Sequence, residues 1–355
     1  MSLHQEIRSC HQRTDRSDRK DLVTSWKEKE LYRGEVKDAF SVIFRTKGCF
    51  WAYESGCSMC GYYTATNPDI TRNDLEEQLN EALDRYEGEE IIKIYTSGSF
   101  LDEDELPKEI GLEILNSFDA EKTLIESRPQ FVKGDGLKDY EEAVDQLEVA
   151  LGLESADDFV LKNSINKGFT FSDYKRAVKT AHDNGCSIRT YLLLKPPFLT
   201  EKEAIQDVID SVDKIEPLLE ENDIISINPV NVQNGSLAER MWYRDEYRPP
   251  WLWSIVDVLK NIDKDIEQTV VVSNAGLGSR RGAHNSGIDN EQCDCDQRII
   301  DKINEFNLQQ DTDILDELPY DCPCYPLWKK EKELAPYLHY RGDLHILSNR
   351  HAGYI

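Results

Sequence analysis

Residues 40–62 read FSVIFRTKGCFWAYESGCSMCGY, a short apolar run followed by a loop that carries three cysteines between glycines. The run at 40–45 has the apolar, β-branched character of a buried strand. Cys49, Cys57 and Cys60 follow it in a loop whose glycines allow tight backbone turns. We therefore predict a buried strand that presents three thiol groups just beyond its carboxyl end.

Further apolar runs alternate with segments of helical period along the chain. The runs lie at 91–96, 122–126, 146–152, 187–194, 224–229 and 268–273, with helices such as 72–86, 171–184 and 201–219 between them. Thr200 and Glu203 form a capping box at the start of the last of these helices. Repeated βα units predict an α/β fold, a partial or full (β/α) TIM-type barrel. A doubly wound open sheet is the alternative, although no Gly-x-Gly-x-x-Gly turn follows the first run.

The pattern divides the chain into three parts. Residues 1–39 are expected to form a polar helical lead-in, residues 40–273 the barrel, and residues 274–355 a cysteine-containing extension that binds metal or substrate. In such barrels the reactive side chains lie in the loops after the strands. The chain contains no apolar stretch of about 18 residues, and its first 20 residues are charged throughout, so we expect a cytoplasmic protein without a membrane span or secretory signal.

The chain is strongly acidic, with 68 Asp plus Glu against 42 Lys plus Arg and a formal charge of -26. Such a field repels polyanions at ordinary ionic strength. The acids are spread along the whole chain, which favours a protein of a halophilic archaeon that works in molar salt, where the Debye length is about 3 Å. An acidic face that is simply solvated is the alternative.

The nine cysteines of an intracellular chain are poor candidates for disulfides, and their clustering favours metal. Four cysteines in the first loop would complete a structural zinc site or an electron-transfer cluster, whereas three leave one coordination position open. The position of Cys49, Cys57 and Cys60 after the first strand favours an iron–sulfur cluster. A zinc site completed by a distant histidine is the alternative.

These cysteines and four other segments together resemble one enzyme family. The segments are YTSGSFLD at 95–102, IESRP at 125–129, VALGLES at 149–155 and RRGAH at 280–284. With the C-x7-C-x2-C loop, they are similar to the radical S-adenosylmethionine (SAM) subunit of archaeosine synthase, a relative of the catalytic subunit of Elongator. The commonest spacing in the radical SAM superfamily is C-x3-C-x2-C, so the longer first gap points to a subfamily.

The resemblance implies a [4Fe-4S] cluster on Cys49, Cys57 and Cys60, with SAM chelating the open iron and yielding a 5′-deoxyadenosyl radical. Met59 would lie against the adenine, with packing beneath the loop as its alternative role. Other SAM contacts are expected from the polar or small residues that close the second, third and fourth strands, unless these form ordinary turns and salt bridges: Ser97, Gly98, Ser99, Glu126, Glu154 and Ser155.

Further strand-end residues are candidates for binding the substrate. Arginines on a glycine-rich loop suit a phosphate or another anionic group, and a lysine at a strand end suits a carboxylate or phosphate. Solvated side chains and loop salt bridges are the alternatives. The candidates are Lys195, Asn228, Arg280, Arg281 and His284.

Two cysteine pairs lie in the extension. Cys293 and Cys295 form one C-x-C pair, and Cys322 and Cys324 the other. In extended backbone both sulfurs of such a pair point to one face. Four thiolates suit tetrahedral zinc, which we favour over an auxiliary iron–sulfur cluster and over unmetallated thiols.

The resemblance also implies a reaction and its partners. A lysine-transferase subunit would attach lysine to a 7-cyano-7-deazaguanine in the tRNA D-loop, and this chain, with electrons from a reductant such as ferredoxin, would cleave a C–N bond of the adduct to form archaeosine. Another radical SAM RNA modification of the Elongator type is the enzymatic alternative. A non-catalytic iron–sulfur and zinc scaffold is the alternative outside enzymes.

Overall fold

The chain folds around one sheet of eight strands in a computed structural model, which describes residues 2–11, 19–262, 266–285 and 293–338. All seven predicted runs are strands, and an eighth precedes them. The strands are β1 (Thr24–Tyr32), β2 (Glu35–Ile43), β3 (Ile91–Tyr95), β4 (Lys122–Ser127), β5 (Leu147–Glu154), β6 (Ser187–Leu194), β7 (Ile224–Pro229) and β8 (Thr269–Val272).

Helices connect the strands and cover the sheet. The three predicted helices are present, and Thr200 caps the third of them with Glu203 as expected. The helices are α1 (Leu3–Cys10), α2 (Phe50–Glu54), α3 (Arg72–Arg85), α4 (Lys108–Asn116), α5 (Gly134–Glu141), α6 (Asp158–Val160), α7 (Phe171–Asp183), α8 (Glu201–Ile215), α9 (Leu237–Trp242), α10 (Leu252–Asn261), α11 (Cys295–Gln309) and α12 (Cys324–Leu338).

The strands follow one another across the sheet in the order of the chain, from β1 to β8. All pairs from β2 to β8 are parallel, and only β1 is antiparallel to its neighbour. A doubly wound sheet reverses its strand order at a switch point, whereas this sheet does not. The fold is therefore the barrel type, and since β1 and β8 end the sheet within the described residues, it is a half-barrel.

The amino-terminal segment differs from the predicted helical lead-in. Helix α1 is present, but Thr24–Tyr32 is a strand that forms a hairpin with β2. The turn between them contains Gly34, which has a φ of 76°. The segment thus extends the sheet by one antiparallel strand instead of leading into it.

Helix α11 covers the gap between the two ends of the sheet, because it packs against both β1 and β8. Side chains at the carboxyl end of α11 also form hydrogen bonds with backbone groups of β8. The side-chain amide of Asn307 accepts from the Val272 N–H at 2.8 Å and donates to the Val272 carbonyl at 2.9 Å. Gln310, just past the helix, makes the same pair of bonds with Val270. These amides take the place of a ninth strand and protect an exposed edge.

A group of charged side chains from several strands is buried within the fold. Glu30 on β1 lies within 2.6 Å of the ammonium groups of Lys93 and Lys122 and of the Arg189 guanidinium. Glu148 on β5 pairs with Arg189 at 3.0 Å and lies 3.4 Å from Lys122. Because all five side chains are buried, the mutual pairing of their charges is what makes their burial tolerable.

Candidate active site

The three-cysteine loop follows β2 at the carboxyl edge of the sheet, as predicted. Cys49 precedes the short helix α2, and Cys57 and Cys60 lie in the turn beyond it. The loop is held by hydrogen bonds from other elements: the Ser58 N–H donates to the Ile165 carbonyl at 2.9 Å, and the Ala238 N–H donates to the Ser58 carbonyl. The thiols are therefore carried on a fixed backbone.

The three thiols of this loop are close enough to influence one another. Burial and the neighbouring Cys57 raise the pKa of Cys60 to about 12. Burial also raises the pKa of Cys49, against the opposing charge of Arg128. The fold therefore brings the three predicted ligands into one group.

The loop after β3 touches the cysteine loop at Gly98. An added Cβ at this position would lie 2.6 Å from the Cys49 Cα and 2.8 Å from its nitrogen. No larger residue fits without displacing one of the two loops. Ser99 continues the contact, because its N–H donates to Glu105 at 2.7 Å and its hydroxyl accepts from the Arg128 N–H.

Two carboxyl groups, one buried and one half-buried, lie next to these loops. Glu105 accepts a hydrogen bond from the hydroxyl of Thr46, which lies three residues before Cys49, at 2.6 Å. Since it also accepts from the Ser99 N–H, it links the cysteine loop to the loop after β3. Glu126, at the end of β4, accepts from the Thr96 N–H at 3.2 Å. Burial raises the pKa of Glu105 to about 7, and burial with the charge of Glu105 raises that of Glu126 to about 8. One or both can therefore carry a proton near neutral pH.

Two buried cations border the same site. The Arg128 guanidinium donates to the Lys167 carbonyl at 2.6 Å and faces the rings of Phe50, Trp51 and Phe169. The Lys167 ammonium lies 2.7 Å from Glu154, which has a φ of 72° at an irregularity of β5. Burial opposes the charge of Lys167, but Glu154 and Cys57 outweigh it and raise its pKa. A positive charge therefore lies beside the thiols.

An open cavity of about 590 Å³ lies where the cysteine loop meets the loops after β7 and β8. Arg281 joins the latter two, because its guanidinium donates to the Val232 carbonyl at 2.8 Å and pairs with Glu239 at 2.6 Å. Gln233 joins the β7 loop to the cysteine loop by accepting from the Gly61 N–H at 2.7 Å. The wall includes the exposed side chains of Tyr62 and Arg280, and the amides of Asn231, Gln233 and Asn234.

The chain is similar to known proteins along almost its whole length. The Radical SAM superfamily matches residues 43–210. Archaeosine synthase subunit beta of Methanosarcina acetivorans is 36% identical over 349 residues, which cover 95% of this chain and 98% of the relative. The subunit of the same name from Thermococcus kodakarensis is 38% identical and covers 84% of this chain and 94% of its own. The chain belongs to the archaeosine synthase subunit beta family of radical SAM enzymes.

Among solved structures, an archaeal Elp3 from Methanocaldococcus infernus with an amino-terminal deletion aligns with a TM-score of 0.48 and 16% identity. The alignment covers 69% of this chain and 62% of that one.

Family membership makes the chain a radical SAM tRNA-modifying enzyme whose cofactors are a [4Fe-4S] cluster and SAM. The residues of the site fit both groups. Cys49, Cys57 and Cys60 offer three thiolates on one fixed loop, which leaves one iron of a cubane without a protein ligand, and Glu126 and Glu154 offer carboxylates at the adjoining strand ends. When bound, the two cofactors supply a 5′-deoxyadenosyl radical.

The remaining SAM contacts stay predictions of this family's chemistry. Met59 is half-buried and packs against the apolar core, in keeping with its alternative role in packing beneath the loop. Its contact with the adenine stays a prediction. Ser97 is buried beside Gly98. Ser155 is fully buried, and its hydroxyl is shared between Asp207 and the Asp157 N–H, so it holds the turn after β5.

The candidate substrate residues fall into two groups. Lys195 is buried in an ion pair with Glu201 at 2.5 Å. The Asn228 side chain accepts from the Ser226 hydroxyl, and the His284 Nδ1 lies 2.7 Å from the Gly282 carbonyl oxygen. Burial together with nearby Arg248 lowers the pKa of His284. These three are thus already engaged within the fold. Arg281 is likewise paired, whereas the neighbouring Arg280 is exposed at the cavity.

The four cysteines of the extension meet in one cluster, with all sulfurs within 4.8 Å of one another. Extended backbone was predicted for the two cysteine pairs, and this prediction was wrong. Cys295 and Cys324 are the first residues of α11 and α12, and Asp294 has a φ of -93° and a ψ of 10°. Residues 286–292 and 339–355 of the extension lie outside the described residues.

Sequence reasoning missed three residues of the site, Glu105, Lys167 and Gln233. They lie outside the quoted motifs, and only the fold brings them to the cysteine loop and its neighbours. Arg128, by contrast, lies in the IESRP segment that carried the resemblance, at the end of its strand.

No helix of the described residues combines the length and apolarity that crossing a bilayer requires.

Proposed function

We propose that this chain completes archaeosine on tRNA as the radical-forming subunit of a two-subunit enzyme. The observation that carries the proposal is its end-to-end similarity to archaeosine synthase subunit beta, together with the three-cysteine loop at the barrel mouth. A lysine-transferase partner first joins lysine to the nitrile of a 7-cyano-7-deazaguanine in the D-loop. This chain then oxidises the lysine carbon of the C–N bond by two electrons, with SAM as the oxidant, and water releases that carbon as an aldehyde, which leaves the amidine of archaeosine on the base.

The chain's own residues hold and orient the reacting groups. Cys49, Cys57 and Cys60 bind the cluster, and Gly98 leaves the space in which the β3 loop meets them. Glu126 and Glu154 accept hydrogen bonds from the ammonium and ribose hydroxyls of SAM. When bound, SAM and the reduced cluster supply the radical that removes hydrogen from the lysine carbon next to the linking nitrogen.

The substrate base enters at the cavity beside the cysteine loop. Its volume of about 590 Å³ is in the range of small-ligand sites. The amides of Asn231 and Asn234 can bond the edge of a base, and the exposed ring of Tyr62 can stack on its face. Arg280 is held at the cavity by the anchored Arg281 and suits a phosphate next to the base.

The charge of the chain limits how much tRNA affinity it supplies. A formal charge of -26 opposes a polyanion, and phosphate contacts weaken further as salt rises. We therefore assign most of the tRNA affinity to the lysine-transferase subunit. Recognition by this chain rests on the shape and base contacts of its cavity, and a ferredoxin-type reductant supplies the electron.

The test is mass spectrometry of tRNA from a strain that lacks this chain. We expect a lysine-conjugated deazaguanine to accumulate and archaeosine to disappear, and normal archaeosine would overturn the proposal. Strains complemented with Arg280→Ala should retain part of the conjugate. Arg176→Ala, which removes an arginine on α7 that is 69% exposed, is the matched control and should restore archaeosine fully.

A biochemical assay separates substrate binding from cofactor chemistry. Purified, reduced Arg280→Ala should form 5′-deoxyadenosine from SAM at the wild-type rate without tRNA. Its rate with lysine-conjugated tRNA should fall by roughly tenfold, as expected for the loss of one charged contact. Equal rates of archaeosine formation by Arg280→Ala and Arg176→Ala would remove Arg280 from the substrate site.

A further inference from the structure

The cysteine cluster of the extension lies apart in sequence from the catalytic loop and has its own geometry. Cys293, Cys295, Cys322 and Cys324 are all free thiols, and their four sulfurs lie within 4.8 Å of one another. Cys295 and Cys324 are buried, and the other two are half-buried. The four thiols therefore form one compact group.

The separation of the sulfurs distinguishes a single ion from a cluster. A tetrahedral ion with bonds of about 2.3 Å places its sulfurs about 3.8 Å apart. A cubane binds each sulfur to a different iron and holds them roughly 6 Å apart. The limit of 4.8 Å in this chain is compatible with the first arrangement and too short for the second.

The surroundings of the thiols also suit a structural metal site. The fully buried Asn285 donates its amide N–H to the Cys295 sulfur at 3.5 Å and accepts from the Trp253 N–H at 3.2 Å. Such an outer hydrogen bond orients a metal-binding thiolate. Cys295 and Cys324 also begin helices, whose amino-terminal N–H groups stabilise the negative charge of a thiolate.

We infer that the four cysteines hold one zinc ion that fastens α11 over the open side of the half-barrel. All four coordination positions are taken by sulfur, so the ion has no position for substrate or water and serves structure, not catalysis. It joins the first turn of α11, which packs on β1 and β8, to the first turn of α12, which packs on α8. The inference does not depend on the proposed reaction.

The zinc site is tested on the full-length chain with the catalytic cluster removed. A variant with Cys49, Cys57 and Cys60 all changed to alanine should be isolated with about one zinc and almost no iron per chain by elemental analysis. X-ray absorption at the zinc edge should show four sulfur ligands near 2.3 Å. Iron in place of zinc, fewer than four sulfurs, or metal-free chains with oxidised cysteines would each overturn the inference.

Cysteine variants supply matched controls. Cys293→Ser and Cys322→Ser should lose the zinc, whereas Cys10→Ser and Cys186→Ser, which remove free thiols elsewhere, should keep it. If the ligand variants fail to fold, the absorption measurement on the parent chain still decides the question.

The role in closing the sheet has a separate readout. Removal of zinc by a chelator should increase amide hydrogen exchange in α11 and β1 by about tenfold, because local opening of this region becomes easier. Helix α3, which packs against α4, should exchange as before. Unchanged exchange in α11 after zinc loss would refute the fastening role while leaving the metal site itself standing.

Discussion

Replacing Gly98 by alanine should impair radical formation while leaving the fold intact. The new Cβ would lie 2.6 Å from the Cys49 Cα, whereas ordinary contacts begin at 3.4 Å, so the loops must separate by about 0.8 Å. The strained contacts are with backbone atoms of Cys49, and these cannot rotate away as a side chain could. It also presses on Glu105, which bonds both loops through Thr46 and Ser99.

A misplacement of about 1 Å in an active site can reduce turnover by roughly 100-fold. We therefore expect Gly98→Ala to form 5′-deoxyadenosine from SAM and dithionite about 100-fold more slowly per cluster-loaded chain. Iron content is measured in parallel, so that loss of the cluster and loss of SAM positioning are both counted. The assay needs no tRNA and does not depend on the identity of the substrate.

Gly136→Ala is the matched control. Gly136 lies in α5, and an added Cβ there meets nothing within 4 Å. Alanine in place of a helical glycine stabilises by up to about 1 kcal/mol, so this variant should keep its rate and its iron. If Gly98→Ala forms 5′-deoxyadenosine within about threefold of the control with full iron, the close packing of the two loops does not position the cofactors.

Three further perturbations test the stability of the fold. Glu30→Gln should lower the unfolding free energy by about 3–5 kcal/mol, because it leaves buried cations unpaired. A loss below about 1 kcal/mol in chemical denaturation would contradict this. The control is Lys29→Ala, which removes an exposed ion pair. Burial opposes the charge of His182, but its bond to Asp223 outweighs that effect and raises its pKa above 6.5. Protonation thus stabilises the fold below about pH 6.5, and this stabilisation disappears as pH rises through the folded pKa. The melting temperature of the wild type should exceed that of His182→Gln by more at pH 6 than at pH 9, and a constant difference would refute the linkage. Melting temperature should also rise between 0.1 M and 2 M KCl, since screening relieves repulsion in a chain of charge -26, and a flat response would favour an ordinary acidic surface.

The strands that sequence reasoning recovered are those whose side chains are apolar. Runs such as Ser187–Leu194 and Ile224–Pro229 match to the residue, because apolar, β-branched side chains bury both faces of a parallel strand. Strand β1 reads TSWKEKELY and has no such signal. Its Glu28 and Glu30 face cations within the sheet, so their partners on distant strands had to be known before the burial of β1 could be predicted.

The same reasoning explains which site residues could be found. Cys49, Cys57, Cys60 and Gly98 lie in the connections that follow β2 and β3, and Glu126 lies near the end of β4. The rule that parallel strands end at one edge predicts that these residues lie together. Glu105 and Lys167 reach the site from more distant parts of the connections between strands. Their position in the sequence does not indicate how far they lie from the cysteines. Lys195 also follows a strand, but sequence position did not indicate its buried ion pair with Glu201. Its role in binding the substrate stays a prediction.

The open side of the sheet and the cavity at its mouth are connected through β8. Along β8, Asn307 and Gln310 satisfy the free backbone groups, so this edge is unavailable to another strand or to an extended ligand. Beyond the end of β8, the chain enters the loop that carries Arg280 to the cavity beside Cys60. A closed barrel would surround that position with further strands and loops. Within the described residues the sheet ends at β8, a helix covers this end, and the cavity at the mouth is open. An open cavity can admit a base that is still attached to a polynucleotide.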